Sequence, residues 1–163
     1  MPIPNTENTK SQTQRQPVLH RLATARWSGS LKDGFGSISS ESGALQNAEF
    51  GFHSRFENKR GTNPEELIGA AHAGCFSMAF ANALSEAGHV PDRIDTQADV
   101  SLEKRGQAWA ITSVQLTVRG IAPGCSDGAF EAIARETIEN CPISQLLNAR
   151  ITLRAELEQS RLQ

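Results

Sequence analysis

Between Gly61 and His89 the chain reads GTNPEELIGAAHAGCFSMAFANALSEAGH, and beyond Glu66 apolar and small residues recur on nearly every side of a helical wheel. At about 100° per residue, Leu67, Ala71, Cys75, Met78 and Ala79 share one side, while Phe76, Phe80, Ala83 and Leu84 spread round much of the rest. Start and stop signals bracket this run. Asn63 is placed to cap, Pro64 suits the first helical position, and Glu66 would complete a capping box. Gly88, followed by Pro91, ends it. The pattern predicts a helix over residues 64–87, roughly 36 Å long at ~1.5 Å per residue. A helix apolar on all sides must be covered on all sides, and one sheet covers only one. The small residues Gly69, Ala70, Ala71, Ala73 and Gly74 invite close approach by another helix. A homodimer with this helix near the interface is therefore expected; the alternative is a central helix enclosed by its own domain.

Elsewhere the period changes. IDTQADVSLEK and WAITSVQLTVRG alternate polar and apolar residues around Arg105-Gly106-Gln107, which reads as a hairpin. SDGAFEAIARETIEN predicts a second helix capped by Ser126, with Phe130, Ile133, Ala134, Thr137 and Ile138 as its inward stripe. The short helical piece PISQLL precedes a last strand, ARITLRAELE, whose Ile151, Leu153, Ala155 and Leu157 share one face. From Leu19 to Phe56 the texture is of short strands punctuated by glycine: RLATARWSGS, a turn at LKDGFG, then SISSESG and EFGFHSRF. Strands, helix, hairpin, helix and strand in that order make an α+β fold. Residues 1–17, rich in Asn, Gln, Thr and Pro, read as a flexible tail without the apolar core of a secretory signal. Residues 18–163 read as a single domain, with no internal repeat.

Composition narrows the function classes. The chain has 163 residues, 38% hydrophobic and 21% charged, with a net charge of −2 and both signs interspersed. Neither a nucleic-acid footprint nor a membrane-attracting field is present. His72, Ser77 and Asn82 interrupt the longest apolar stretch, which reads as too polar to span a membrane. Three scattered cysteines do not form a disulfide framework, so a reducing, cytoplasmic setting is expected.

Those cysteines are the candidates for chemistry. Cys75 lies about three turns into the first helix, where the helix dipole has faded. Burial among apolar groups would raise its pKa, so a reactive thiolate here needs a cation brought from elsewhere. Arg55, in HSRFEN, is the strongest upstream candidate. Glu65, at the helix start and about 80° round the wheel from Cys75, could clamp that guanidinium and aim it, within the chain or across an interface. Cys141 continues the inward stripe of the second helix, and Pro142 disfavours helix through it, so that Cys141 would instead open the short helix and gain N–H donors. Both thiols then point to one interior. The residues alone leave several readings open: buried filler, a redox pair, or a zinc site assembled from His72, Cys75, Cys125 and Cys141 without any CxxC pair. A hydrolase nucleophile activated by His72 lacks an accompanying oxyanion-hole motif.

RFENKRGTNPEELIGAAHAGCFSMAFANALSEAG, together with ENCPISQLL and the strand after it, resembles the OsmC branch of the OsmC/Ohr family, cysteine-dependent peroxidases acting on organic hydroperoxides. The likeness runs from about Trp27, in WSGSLKDGFGSISSESG, to about residue 158. It implies antiparallel sheets packed on two main helices in an intertwined homodimer with two active sites at the interface. Carried over by position, Cys75 is the peroxidatic thiol, Cys141 the resolving thiol, Arg55 the activating arginine and Glu65 its orienting partner. The implied cycle passes through a Cys75 sulfenic acid and a Cys75–Cys141 disulfide, reopened by an external dithiol that the resemblance suggests is lipoyl-type. It calls for no metal, flavin or haem cofactor. Phe76, Met78 and Phe80 are the expected apolar walls, favouring alkyl or fatty-acid hydroperoxides over hydrogen peroxide. Departures are the polar N-terminal tail, the extra Cys125, which receives no role, and Gly74 in place of a common alanine, expected to loosen packing beside Cys75. A competing, non-enzymatic reading is a dimeric small-ligand-binding module with structural cysteines.

Overall fold

The computed structural model describes residues 18–57 and 59–158; the expected N-terminal tail, 1–17, lies outside them. Three short strands, β1 (Ala23–Ser28), β2 (Phe35–Ser40) and β3 (Ala48–Phe50), form an antiparallel meander. Two helices follow, α1 (Phe52–Phe56) and the long α2 (Pro64–Glu86). A second sheet takes β4 (Arg93–Arg105) and β5 (Ala108–Ile121) as the expected hairpin, with Gly106 at φ +63° in its turn. The chain then runs through α3 (Asp127–Asn140) and α4 (Pro142–Leu146) into β6 (Arg150–Leu157), giving the strand order β4-β5-β6. The α+β architecture is as expected. One pairing departs from all-antiparallel sheets: β6 runs parallel to β5, because α3 and α4 form a crossover that returns the chain to the same end of the sheet.

Local chemistry explains most boundaries. Asn63 Oδ1 accepts from the Glu66 N–H at 2.8 Å and caps α2. The reciprocal half of the expected capping box is replaced by a long contact between the side-chain amide of Asn63 and Glu66, at 3.5 Å. Ala87 closes α2 and Gly88, at φ +85°, turns the chain away. Ser126 caps α3 through the Ala129 N–H. The segment EFGFHSRF, read as strand, is strand only to Phe50; residues 52–56 are α1. Ser54 drives that change. Its Oγ accepts from the Gly51 N–H at 3.0 Å and lies 2.8 Å from the Thr62 carbonyl, to which it donates. Phe52 and Phe56, four apart, then pack with ring centroids 4.9 Å apart.

The core lies where α2 and α3 meet the second sheet. The inward stripe of α2 is His72, Phe76, Phe80 and Leu84, all fully buried. Facing it are Val114, Leu116 and Val118, alternate residues of β5, and Phe130 and Ala134 of α3. Phe80 stacks on Phe76 at 5.4 Å and meets Phe130 edge-on at 4.8 Å. The Phe130 ring fits against β5 because position 120 is glycine: a Cβ there would lie 2.9 Å from Phe130 Cζ. Gly69 likewise lets α2 approach β4, where an added Cβ would stand 3.3 Å from Val100 Cγ2. At Gly74, by contrast, a Cβ would meet nothing within 4 Å; the expected loosening beside Cys75 does not arise within the chain.

By length and composition alone α2 could pass for a membrane span, as the core helix of a globular protein also does, despite the polar residues that interrupt it. In the fold those residues have local partners. Ser77 donates to Thr96 Oγ1 at 2.7 Å, His72 meets Ser144, and Asn82 donates to Glu86. The chain covers one side of α2 and leaves Met78, on another, 78% exposed.

Candidate active site

The central feature is a pair of free thiols in contact. Cys75 and Cys141 have their sulfurs 3.5 Å apart, one thiol donating to the other. Cys75 is half-buried on α2, whereas Cys141 is fully buried at the junction of α3 and α4. Pro142 at the first position of α4 leaves Cys141 in an extended backbone conformation as its N-cap. Desolvation pushes the Cys141 thiol up, but the N–H groups of Ser144 and Ile143, the Ser144 hydroxyl and the bond with Cys75 outweigh it, and its pKa falls below the ordinary value. Cys75 moves the other way: burial and the neighbouring Cys141 raise its pKa, with only the Ile143 N–H opposing.

Behind Cys141 stands a second polar pair. Ser144 Oγ is 2.8 Å from His72 Nε2, and the His72 ring is wholly inaccessible. Burial holds the His72 pKa below its ordinary value, which keeps the ring neutral at physiological pH. Sequence reasoning considered His72 as a zinc ligand or a base for Cys75 and missed Ser144. The available signal was position: in CPIS, Ser144 is third in a helix begun by Pro142, from where a side chain can reach back to the N-cap residue.

Arg55 and Glu65 form a separate pair. Arg55 Nη2 donates to Glu65 Oε1 at 2.6 Å, and Nε donates to Oε1 and Oε2 at 3.2 and 3.1 Å. The Glu65 side chain, in the first turn of α2, is 11% exposed and that of Arg55 is 34% exposed. Among the described residues no hydrogen bond links Arg55 to Cys75, and the guanidinium is not among the groups that shift Cys75. The chain thus assembles two halves, a thiol pair and an ion pair.

Beside Arg55 lies an open cavity of about 250 Å³ lined by Trp27, Leu31, Phe50, Phe52 and Phe56. These are the large apolar walls near a candidate site residue. Phe76 and Phe80, expected as walls, are core residues with no accessible surface, and Met78 lines none of the described cavities. Their wheel positions could not reveal this, because the core-facing side of α2 is chosen by β5 and α3. The zinc reading also loses its geometry. Among the described residues no three His, Cys, Asp or Glu side chains converge to hold a metal, and the Cys125 thiol donates to the Ser126 carbonyl.

An α+β fold that brings two unbridged thiols from different elements into contact has the arrangement a dithiol redox protein needs. Comparison with known proteins agrees. The family model described as OsmC-like protein matches residues 56–156. The chain is 48% identical over 141 residues to Peroxiredoxin OsmC of Escherichia coli (strain K12), covering 86% of this chain and 99% of that one. This protein belongs to the OsmC family. Its fold is shared with the organic hydroperoxide resistance protein OhrB of Bacillus subtilis, at TM-score 0.63 and 23% identity over 86% of this chain and 98% of that one. An organic hydroperoxide resistance protein from Elizabethkingia anophelis gives TM-score 0.66 at 18% identity, over 90% and 100% of the two chains.

Proposed function

We propose that this protein is a thiol-dependent peroxidase that reduces organic hydroperoxides to alcohols, with Cys75 as the attacking thiol and Cys141 as the resolving thiol. The observation that carries the reading is the 3.5 Å separation of two free sulfurs from different elements; closing to a disulfide at about 2.05 Å asks for a small local shift. Acidity alone would favour Cys141 as the attacking group, since its pKa lies on the low side. Access decides otherwise: Cys141 has no exposed surface, while Cys75 is reachable.

In the cycle the Cys75 thiolate attacks the distal peroxide oxygen, the O–O bond breaks, and the alkoxide takes a proton to leave as alcohol. Cys75 is then a sulfenic acid. The Cys141 thiolate attacks that sulfur and hydroxide leaves, protonated to water, giving the disulfide. An external dithiol, for which we propose a lipoyl type, reduces it by exchange. Cys75 needs help to ionise, and Arg55 held by Glu65 is the group suited to supply it. Because the two halves are not joined within one chain, we place them together in a homodimer, the guanidinium of one protomer serving the thiol of its partner. The uncovered Met78 side of α2 supports that assembly. The aromatic cavity beside Arg55 suits the alkyl part of an organic hydroperoxide better than hydrogen peroxide. Three free thiols suit a cytoplasmic setting.

One equivalent of cumene hydroperoxide followed by mass-spectrometric thiol counting tests the reading. It predicts a Cys75–Cys141 crosslink, with Cys125 free. Three untouched thiols would reject it in favour of a binding module with structural cysteines.

A further inference from the structure

We propose that Trp109, which does not itself line the cavity beside Arg55, is a positioning residue that sets which hydroperoxides the cavity accepts, by bracing its Phe56 wall. The proposal rests on the reading of that cavity as the seat of the substrate's organic part, and it brings a residue of the second sheet into substrate choice.

Trp109 reaches Phe56 through an irregularity in β5. The core-facing residues of that strand are the even-numbered Val114, Leu116 and Val118. On strict alternation position 109 would face the other way, with the exposed Gln115 and Arg119. The pairing breaks that alternation. Ser101 pairs with Ser113 and Leu102 with Ile111, which leaves Thr112 as an extra residue. One extra residue exchanges the two faces of a strand, and such bulges recur beside active sites, where they re-aim a side chain. Beyond Thr112 the odd-numbered residues face the helices. Ile111 packs on the core, and Trp109 meets Phe56 of α1 with ring centroids 5.2 Å apart.

The other aromatic walls are fixed closer to home. Trp27 Nε1 donates to the Gly29 carbonyl at 3.0 Å, and its ring meets Phe50 at 5.4 Å. Phe50 lies so close over β2 that a Cβ at Gly36 would stand 2.3 Å from its ring. Phe56 ends a helix of five residues and has Phe52 on one side. Its support from the second sheet is Trp109. At 50% exposure Trp109 is no core residue, and its aromatic contact is with this wall. Arg55 Cζ also lies 5.3 Å from the Phe56 ring centroid, yet its three N–H bonds to Glu65 hold it independently. Loss of the indole therefore falls on the seating of the organic group and spares the guanidinium.

The test compares peroxides with and without an organic group. In Trp109→Ala, kcat/KM for cumene hydroperoxide is expected to fall about three- to tenfold, the size of one aromatic contact, while the value for hydrogen peroxide stays as in the unaltered protein. Trp109→Phe, which keeps a ring, should restore most of the loss. Because Trp109 acts through Phe56, Trp109→Ala should cost nothing further once Phe56 is leucine. A second readout uses no peroxide. Trp27 and Trp109 are the two tryptophans of the chain. In Trp109→Ala and Trp109→Phe the remaining indole lines the cavity, and its fluorescence follows binding of cumyl alcohol. The alcohol should bind Trp109→Phe about three- to tenfold more tightly than Trp109→Ala. Equal affinity of the two variants, an unchanged kcat/KM for cumene hydroperoxide, or equal losses for both peroxides overturns the proposal. Should Trp109→Ala fail to fold, Trp109→Leu takes its place in both comparisons. Failure of the peroxidase reading appears separately, as no peroxide-dependent turnover in the unaltered protein, and leaves the fluorescence comparison to decide.

Discussion

Glu65→Gln is the substitution that most directly tests whether the ion pair serves the thiol chemistry. The side chain keeps its shape and one oxygen. It loses its charge and turns an NH2 group toward a guanidinium that can only donate. If the amide oxygen keeps the short bond from Arg55 Nη2, the 3.1 Å bond from Nε to Oε2 becomes a donor facing a donor. Charge-assisted hydrogen bonds contribute about 1.5–3 kcal/mol and neutral ones about 1 kcal/mol. Arg55 is 34% exposed, and water partly replaces what is lost. The expected penalty on holding the guanidinium in place is therefore about 1–2 kcal/mol, equivalent to a roughly 5- to 30-fold fall in kcat/KM. The assay is hydroperoxide-dependent oxidation of a dithiol, run on the unaltered protein, Glu65→Gln, Arg55→Ala and the double variant. If Glu65 acts through Arg55, Glu65→Gln should cost almost nothing once Arg55 is alanine. A penalty as large in the Arg55→Ala background as in the unaltered protein would refute the clamp.

Arg55→Lys keeps a charge but cannot reproduce the two-nitrogen grip on Glu65. The Cys75 alkylation rate follows thiolate population alone, so kcat/KM for cumene hydroperoxide should fall further than that rate, and equal losses would show that the guanidinium does not act on the transition state. Phe80→Ala empties a fully buried site between Phe76 and Phe130 and should cost about 3–5 kcal/mol in urea unfolding; a loss under about 1 kcal/mol would contradict the core assignment. His72 sets a pH dependence of stability. Its folded-state pKa lies below the ordinary 6.5, so on acidification the unfolded chain takes up the proton first. The contribution is complete above about pH 6.5 and is lost as pH falls toward the folded-state value, with a slope of at most about 1.4 kcal/mol per pH unit for one proton. Urea midpoints measured from neutral pH downward should show that decline, and His72→Gln should flatten it.

How much of this was legible in the sequence depends on how local each determinant is. The ends of α2 and α3 were readable because Asn63 and Ser126 cap residues three positions on. The β4–β5 hairpin was readable because its turn needs a positive φ and supplies Gly106. The helix α1 was not. It has five residues, too few to show a period, and Ser54 fixes it through a carbonyl eight residues away. The buried side of α2 was also hidden, for a different reason. A helix apolar all round offers no preferred direction, and the choice was made by Val114, Leu116, Val118 and Phe130 from elements far along the chain. The same holds at the site. Cys75, Cys141, Arg55 and Glu65 could be named from residue type and spacing, whereas Ser144 and His72 are joined across 72 positions.

The packing that forms the core also sets the spacing of the two thiols. Cys75 is rigidly placed because the next residue, Phe76, and the following turn, Phe80, are locked into the interior of α2. Phe130 meets Phe80 on the α3 side, and Ala134 and Thr137 continue the α3 stripe down to Cys141. The two sulfurs therefore sit at the end of one continuous aromatic and aliphatic contact, and interiors of this density shift as units rather than residue by residue. Closing the disulfide then falls to the freer parts: the Cys75 side chain, which is only half-buried, and α4, a five-residue helix with none of its residues fully buried. On the proposed cycle, a core that holds the thiols near each other would leave closing and reopening of the pair to these less buried parts, without disturbing the fold that positions it.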